Sequence, residues 1–198
     1  MVQTKELVGN YANGTPDPGV PEGIRYGVPE VGANRAGSTS ATMTPPAFAV
    51  ASIARRWERM GAARYPDATR LMITPDAGGS NSYRSRAWKI ELAKLAASLG
   101  VVVTLWHTLL GTSQWNKIEH RLFGFMSMNW PGKPVTIHRV IVELIVTTTT
   151  QTGLGVEVDL GYGHCPLKQK VTNAELAAVP FTGHNWHPGE VGDWLGVG

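Results

Sequence analysis

The 198-residue sequence lacks the features typical of secreted and membrane proteins, namely paired cysteines, a signal peptide and a long apolar run. Its single cysteine, Cys165, excludes an intrachain disulfide and predicts a reducing compartment. Neither an apolar run of about 18 residues nor a signal-peptide pattern is present, so we expect a cytoplasmic protein without a membrane partner. No internal repeat is evident. The length suits one domain with a sizeable core.

The charge of the chain is mildly basic, with a formal net charge of +3 and a pI near 9.1. This balance permits a nucleic-acid partner without requiring one. Basic side chains form two clusters. The first lies in and after one predicted helix, as Arg55, Arg56, Arg59 and Arg64, and the second lies on the next helix, as Arg84, Arg86, Lys89 and Lys94. Each cluster is either a surface that contacts DNA phosphates or an ordinary solvated helix face, and the sequence leaves both interpretations open.

Residues Ser113 to Ser127 predict an amphipathic helix with a carboxylate, Glu119, on its apolar side. At the helical period one arc collects Trp115, Ile118, Leu122, Phe123, Phe125 and Met126. Glu119 projects inside this arc. A buried carboxylate needs a cation, a hydrogen-bonding partner or a metal. The alternative is that Glu119 reaches solvent at the rim or pairs with a core arginine.

A second carboxylate, Asp76, follows a short apolar strand that ends at Pro75. A helix from Ser82 to Leu99 comes next, and then a strand from Val101 to Trp106. A crossover of this kind makes the two strands parallel neighbours, with Asp76 at their carboxyl edge, where α/β sheets bind ligands. The next predicted helix carries Glu119, and we expect it to lie over the same edge of the sheet. Paired carboxylates suit Mg²⁺, with Mn²⁺ as a substitute, so Asp76 and Glu119 are the candidate metal ligands.

Two long motifs, ITPDAGGSNSYRSRAWKIEL and GTSQWNKIEHRLFGFMSMNW, resemble the DDE transposases of bacterial insertion sequences. The resemblance is to the group typified by the Rhodopirellula transposase DDE domain. It continues through TTTQTGLGVEVDL and KVTNAELAAVPFTGHNWH, and it spans most of residues 3–187. It implies an α/β, RNase H-like catalytic domain in which helices flank a mixed sheet.

The resemblance also implies a function. Asp76 and Glu119 would be the second and third catalytic carboxylates of an enzyme that cleaves and joins DNA. Its partners would be the element ends and the target DNA, bound by a homo-oligomer or together with a full-length transposase. The candidate DNA contacts are Arg84, Arg86, Lys89, Asn116, Lys117 and Arg121.

The first carboxylate of the family pattern is missing. The family has a strand ending in Asp-Thr-Lys-Lys before the KELVGN run, and Gln3 stands where that aspartate is expected. We therefore expect the first strand to be lost and the domain to be incomplete at its N-terminus. An amide oxygen can coordinate a metal but carries no charge. The sequence thus predicts weakened metal binding and a chain that is inactive on its own.

A second departure lies between Gly37 and Ala47. The family has apolar strand residues and an Asp-x-Asp-Thr-Ala pattern here, whereas this chain has a polar run with two prolines, which are excluded from central strands. One interpretation is a shifted reading frame, because the bases of Asp-Asp-Thr-Ala read one position later give Met-Thr-Pro-Pro, as at residues 43–46. The alternative is ordinary loop divergence.

Together these features predict a partial catalytic domain at residues 1–187, with a poorly ordered or degenerate segment at 14–47 and a flexible tail at 188–198. The function expected is that of a degenerate or truncated transposase. The alternatives are a non-catalytic inhibitor that binds DNA or transposase, and a pseudogene product. A hydrolase triad of Ser80, His107 and Asp76 lacks the required strand–turn–helix context. A zinc site lacks a second cysteine pair; its ligands would be His164, Cys165, His184 and His187.

Overall fold

The computed structural model describes residues 2–9, 23–30, 35–41, 45–75, 79–107, 155–160 and 169–182. Within these ranges six strands form one sheet. They are β1 (Val2–Gly9), β2 (Gly23–Glu30), β3 (Arg35–Ala41), β4 (Arg70–Pro75), β5 (Val102–Leu105) and β6 (Gly155–Leu160). Their order across the sheet is β5-β4-β1-β2-β3-β6.

The sheet is mixed, as the sequence predicts. The pairs β1–β2 and β2–β3 are antiparallel, whereas β1–β4, β4–β5 and β3–β6 are parallel. Leu71 of β4 is the register partner of Val103 of β5, so the prediction of parallel neighbours is confirmed. Parallel pairing brings the carboxyl ends of β4 and β5 to one edge of the sheet.

Two longer helices have their termini fixed by local chemistry. Helix α1 (Pro46–Arg56) begins with a proline, at a position where the missing N–H would have no partner within the helix. It continues through a π-helical turn (Trp57–Gly61) into the short helix α2 (Ala62–Arg64). Helix α3 (Arg86–Leu99) is capped by the Ser85 hydroxyl, which accepts from the Trp88 amide at 3.2 Å. Gly100, with φ of 64°, ends it in the left-handed conformation.

Helices α1 and α3 pack together against the sheet and form the core. Spacings of three and four residues bring Trp88, Leu92 and Leu95 of α3 to one buried face, as the periodicity predicts. On α1 and the π-helical turn, Phe48, Ile53 and Met60 are buried. A short helix, α4 (Asn173–Ala177), lies beside α3. No helix in the described ranges is both long and apolar enough to span a bilayer.

The structure contradicts one expectation about the first third of the chain. The first strand is not lost, because β1 pairs with β2 on one side and β4 on the other. Residues 23–30 and 35–41 are strands, and the expectation that the segment 14–47 is poorly ordered or degenerate stays a prediction. Pro45 and Pro46 lie beyond β3 at the start of α1, so they remove no donor from the sheet. Main-chain pairing with both β2 and β6 accommodates the polar sequence of β3.

Candidate active-site edge of the sheet

The carboxyl edge of β4 and β5 is the position at which the sequence predicts a metal site. Asp76 follows Pro75, the last residue of β4. Asp76 and Glu119 both lie outside the described residues, as do Asn116, Lys117 and Arg121. Their convergence therefore stays a prediction. The described residues contain no group of three or more His, Cys, Asp or Glu side chains that could hold a metal.

The backbone register relates the position of Gln3 to this edge. Gln3 is the parallel register partner of Thr74, and Thr4 is that of Pro75. Thr74 is buried and precedes Asp76 by two residues. Neighbouring strands lie about 4.8 Å apart, so the Gln3 backbone is one strand spacing from the end of β4. That Gln3 occupies a degenerate first-carboxylate position stays a prediction.

A buried hydrogen-bond network that sequence analysis missed surrounds the 3₁₀ turn Gly79–Asn81. Asn81 is fully buried, and its side-chain oxygen accepts from the Tyr26 hydroxyl of β2. His107 Nε2 lies 3.0 Å from the Asn81 carbonyl oxygen, and it must donate because a carbonyl only accepts. This contact directs His107 Nε2 to the backbone, which gives the hydrolase-triad interpretation no support.

His107 is held at the end of β5 by two further contacts. The Trp106 amide donates to the Ile73 carbonyl at 2.9 Å, which extends the β4–β5 pairing by one residue. The Tyr83 ring meets the His107 ring edge-on, with centroids 6.0 Å apart and an interplanar angle of 71°. The carboxyl ends of both strands are thus tied to the turn that follows Asp76 in sequence.

The basic side chains of and before α3 make intrachain contacts. Arg86 donates to the Asn173 side-chain oxygen at 2.7 Å, which joins α3 to the residue that begins α4. Lys89 Nζ lies 5.8 Å from the centroid of the Phe181 ring. Arg84 is exposed and lies over the Tyr83 ring, to whose hydroxyl its Nε donates at 2.9 Å. Their role in DNA binding stays a prediction.

One member of the other basic cluster is buried, which neither interpretation of that cluster anticipates. Arg56 is 5% exposed and donates to Glu30 at 2.8 Å, and the Tyr65 hydroxyl donates to the same carboxylate. Arg64 Nε lies 3.9 Å from Glu30 and donates to the Tyr65 hydroxyl at 3.1 Å. This hydrogen bond raises the pKa of Arg64 above its usual value. Burial in an ion pair makes Arg56 a structural residue rather than a phosphate contact.

A cavity of about 530 Å³ lies beside this ion pair. Its walls include Glu30, Arg56, Trp57, Tyr65 and Arg70. Arg70 begins β4, so the cavity lies at the amino end of that strand. The cavity and the predicted metal site therefore lie at opposite ends of β4.

The sheet, its helices and the two sequence motifs define an α/β domain of the transposase class. The chain matches the family described as the Rhodopirellula transposase DDE domain over residues 2–193, and it belongs to that family. Membership implies an RNase H-like fold, with which the mixed sheet agrees. DDE transposases generally use a divalent metal.

Among solved structures, the chain resembles one from the cryoEM structure of the simian T-cell lymphotropic virus intasome in complex with PP2A regulatory subunit B56 gamma. The TM-score is 0.44 and the sequence identity 14%. The match covers 92% of this chain and 60% of that chain. No curated protein matches this chain.

Proposed function

We propose that this chain forms a DDE transposase catalytic domain in which Asp76 and Glu119 bind Mg²⁺ or Mn²⁺, with Gln3 at the position of the first carboxylate. The observation that carries the proposal is the parallel register of β1 and β4, in which Gln3 is opposite Thr74, two residues before Asp76. Family membership over residues 2–193 supports the same assignment. The reaction class is phosphodiester cleavage and strand transfer.

The residues of this chain fit such a metal only in part. Carboxylate and amide oxygens are suitable ligands for Mg²⁺. A divalent ion bound there would stabilise the charge on the attacking and leaving oxygens of the phosphodiester. With Gln3, the site has two carboxylate charges rather than three. One unit-charge interaction at 4 Å is worth about 4 kcal/mol at an effective dielectric constant of 20. We therefore expect weak metal binding and no strand transfer by the chain alone.

DNA is the proposed partner, as element ends and as target. The mild positive charge of +3 is compatible with this partner. The exposed Arg84 is the best described candidate for a phosphate contact, since Arg86 and Lys89 also contact residues near α4. Asn116, Lys117 and Arg121 neighbour Glu119 in sequence and complete the proposed surface. Assembly would be as a homo-oligomer or with a full-length transposase.

A Mn²⁺ titration by calorimetry tests the metal site. Asp76→Asn and Glu119→Gln should each lower the Mn²⁺ affinity of the chain by about tenfold or more, since each removes a charged ligand. Asp67→Asn removes an exposed carboxylate at the cavity and should leave the affinity unchanged. Unchanged affinity in both site variants would refute the site. Metal-dependent DNA cleavage by the unaltered chain that Glu119→Gln abolishes would refute the expected inactivity.

A second candidate is a non-catalytic domain that binds DNA or transposase and acts as an inhibitor. The uncharged Gln3 favours it, because it weakens metal chemistry without affecting DNA binding. This candidate predicts that the purified chain reduces strand transfer by an active relative and binds DNA with a salt dependence that Arg84→Ala makes shallower. Neither effect should depend on Asp76. Loss of inhibition in Asp76→Asn would argue against it.

A further inference from the structure

The turn Gly79–Asn81 is unusually well buried for a segment that follows the end of a strand. Ser80 is 6% exposed and Asn81 is fully buried. Loops normally run over the surface, because buried backbone groups need partners. Here the Asn81 carbonyl accepts from His107, and its side chain accepts from Tyr26. Two hydrogen bonds, from Tyr26 and from His107, therefore hold Asn81 of this turn in place.

These two contacts come from distant parts of the sheet. Tyr26 lies on β2, where its register partner on β1 is Glu6, whereas His107 follows the end of β5. Strands β4 and β1 lie between β5 and β2 in the sheet. The three residues thus link β2 to the segment that follows β5, close to the edge on which β4 ends. Tyr26 and Asn81 are 55 residues apart in sequence, so only the folded sheet brings them together.

Asp76 lies in sequence between two fixed points. On one side are the buried residues Thr74 and Pro75, and on the other are Ser80 and Asn81. Fixing the residues on either side of a metal ligand lowers the conformational entropy that the ligand must lose when the ion binds. Supporting hydrogen bonds around a metal site commonly change its affinity by about 10- to 100-fold.

We propose that Tyr26, Asn81 and His107 are positioning residues that hold the Asp76 segment in its metal-binding conformation. The inference rests on the proposed function, in which Asp76 is a metal ligand. None of the three contacts the metal or the DNA in this scheme. Tyr26 orients the Asn81 side chain, and His107 fixes its backbone. Each should affect metal affinity without affecting the charge of the site.

A matched pair of tyrosine variants tests this role. Tyr26→Phe removes only the hydroxyl that donates to Asn81. Tyr65→Phe removes a hydroxyl that donates to Glu30, which lies four residues further along β2, roughly 13 Å away at about 3.3 Å per residue. We expect Tyr26→Phe and Asn81→Ala to lower the Mn²⁺ affinity by about tenfold. Tyr65→Phe should leave it within about twofold, at a temperature at which circular dichroism shows every variant folded.

Rescue at His107 separates positioning from packing. His107→Gln supplies an amide N–H close to the position of Nε2, whereas His107→Leu fills the site without a donor. The Gln variant should retain most of the Mn²⁺ affinity and the Leu variant should lose about tenfold. Equal loss in both variants would overturn the assigned role of His107.

The Asp76→Asn variant distinguishes failure of this inference from failure of the proposed function. If Asp76→Asn weakens Mn²⁺ binding but Tyr26→Phe and Asn81→Ala do not, positioning is refuted and the metal site stands. If Tyr65→Phe weakens binding as much as Tyr26→Phe, a general loss of stability explains the result and positioning is refuted. If Asp76→Asn has no effect, the proposed metal site is refuted together with this inference.

Discussion

Gln3 and Thr74 are direct register partners in the parallel pair of β1 and β4. Asp76 follows Thr74 by two residues, at the carboxyl edge of the same strand. The register therefore relates residue 3, where the family has its first carboxylate, to the proposed metal ligand Asp76. A carboxylate introduced at residue 3 would lie on β1, the strand that neighbours β4, and close to the edge of the sheet at which Asp76 follows β4.

Gln3→Asp should therefore raise the Mn²⁺ affinity of the chain by about tenfold, or about 1.4 kcal/mol, because it adds a charged oxygen ligand. Calorimetric titration measures the change. Thr4→Asp is the control, since successive residues of a strand point to opposite faces of the sheet. An equal gain in both variants would indicate a general electrostatic effect and contradict the assignment of Gln3.

The buried ion pair between Arg56 and Glu30 should be costly to break. Arg56→Met leaves the Glu30 carboxylate buried without its closest cation, which typically destabilises a fold by about 3–5 kcal/mol. The control is Lys94→Met, which breaks the exposed pair with Glu91 and should cost less than about 1 kcal/mol. Urea unfolding measures both free energies. A similar small loss in the two variants would show that water reaches Glu30 more freely than its burial indicates.

Gly61 is required by the close approach of Trp57. A Cβ at residue 61 would lie 2.7 Å from Trp57 Cε3, so Gly61→Ala should cost about 1–3 kcal/mol through overpacking. Trp57→Leu in the same chain should remove most of that cost, because it removes the ring.

Gly100→Ala provides the contrast. The space around residue 100 is open, and the expected loss of about 1 kcal/mol arises from its left-handed backbone. This loss should not couple to Trp57, and a double-mutant cycle measures both coupling energies. Coupling of equal size at the two glycines would contradict the proposed steric cause at Gly61.

Strand β3 should be protected from hydrogen exchange. Its residues pair with β2 on one side and with β6 on the other, so its amides have partners in both directions. We expect the amides of residues 36–40 to exchange about as slowly as those of β2. Exchange as fast as that of the unfolded chain would contradict this expectation and support the interpretation of the segment as a degenerate element. The proposed frame shift is a separate matter, which sequencing of the locus decides.

Glu175 should titrate below the usual range. The Thr172 backbone N–H and hydroxyl donate to its carboxylate, and these bonds lower its pKa in the folded chain. A lowered pKa means that the bonds stabilise α4 above the unfolded pKa and that this contribution is lost as the pH falls through the folded value.

Carbon NMR of the Glu175 carboxyl group measures this pKa in the folded chain and in urea. Thr172→Ala removes the hydroxyl donor and should raise the folded value. A folded pKa equal to or above that measured in urea would contradict the capping geometry.

Much of the fold follows from local sequence. Trp88, Leu92 and Leu95 recur at the helical period, and Gly100 ends the helix that they face into the core. The order of strand, helix and strand predicts the parallel pair β4–β5, which the register confirms. The sequence predicts that the helix begins at Ser82, whereas it begins at Arg86, because the Ser85 hydroxyl provides the cap. These features depend on residues that are close in sequence, so they can be predicted from the sequence alone.

The sequence alone determined the family, through its two long motifs, and it also determined helix α3 and the parallel strands β4 and β5 around the first of these motifs. Only the tertiary structure determined the conformation and burial of residues whose partners are distant in sequence. The polar residues of β3 form a strand because β2 and β6 satisfy its backbone. Arg56 is withdrawn from the surface by Glu30, and Asn81 is held by Tyr26 from across the sheet. Such contacts have no local periodicity, because they depend on where folding brings remote segments together.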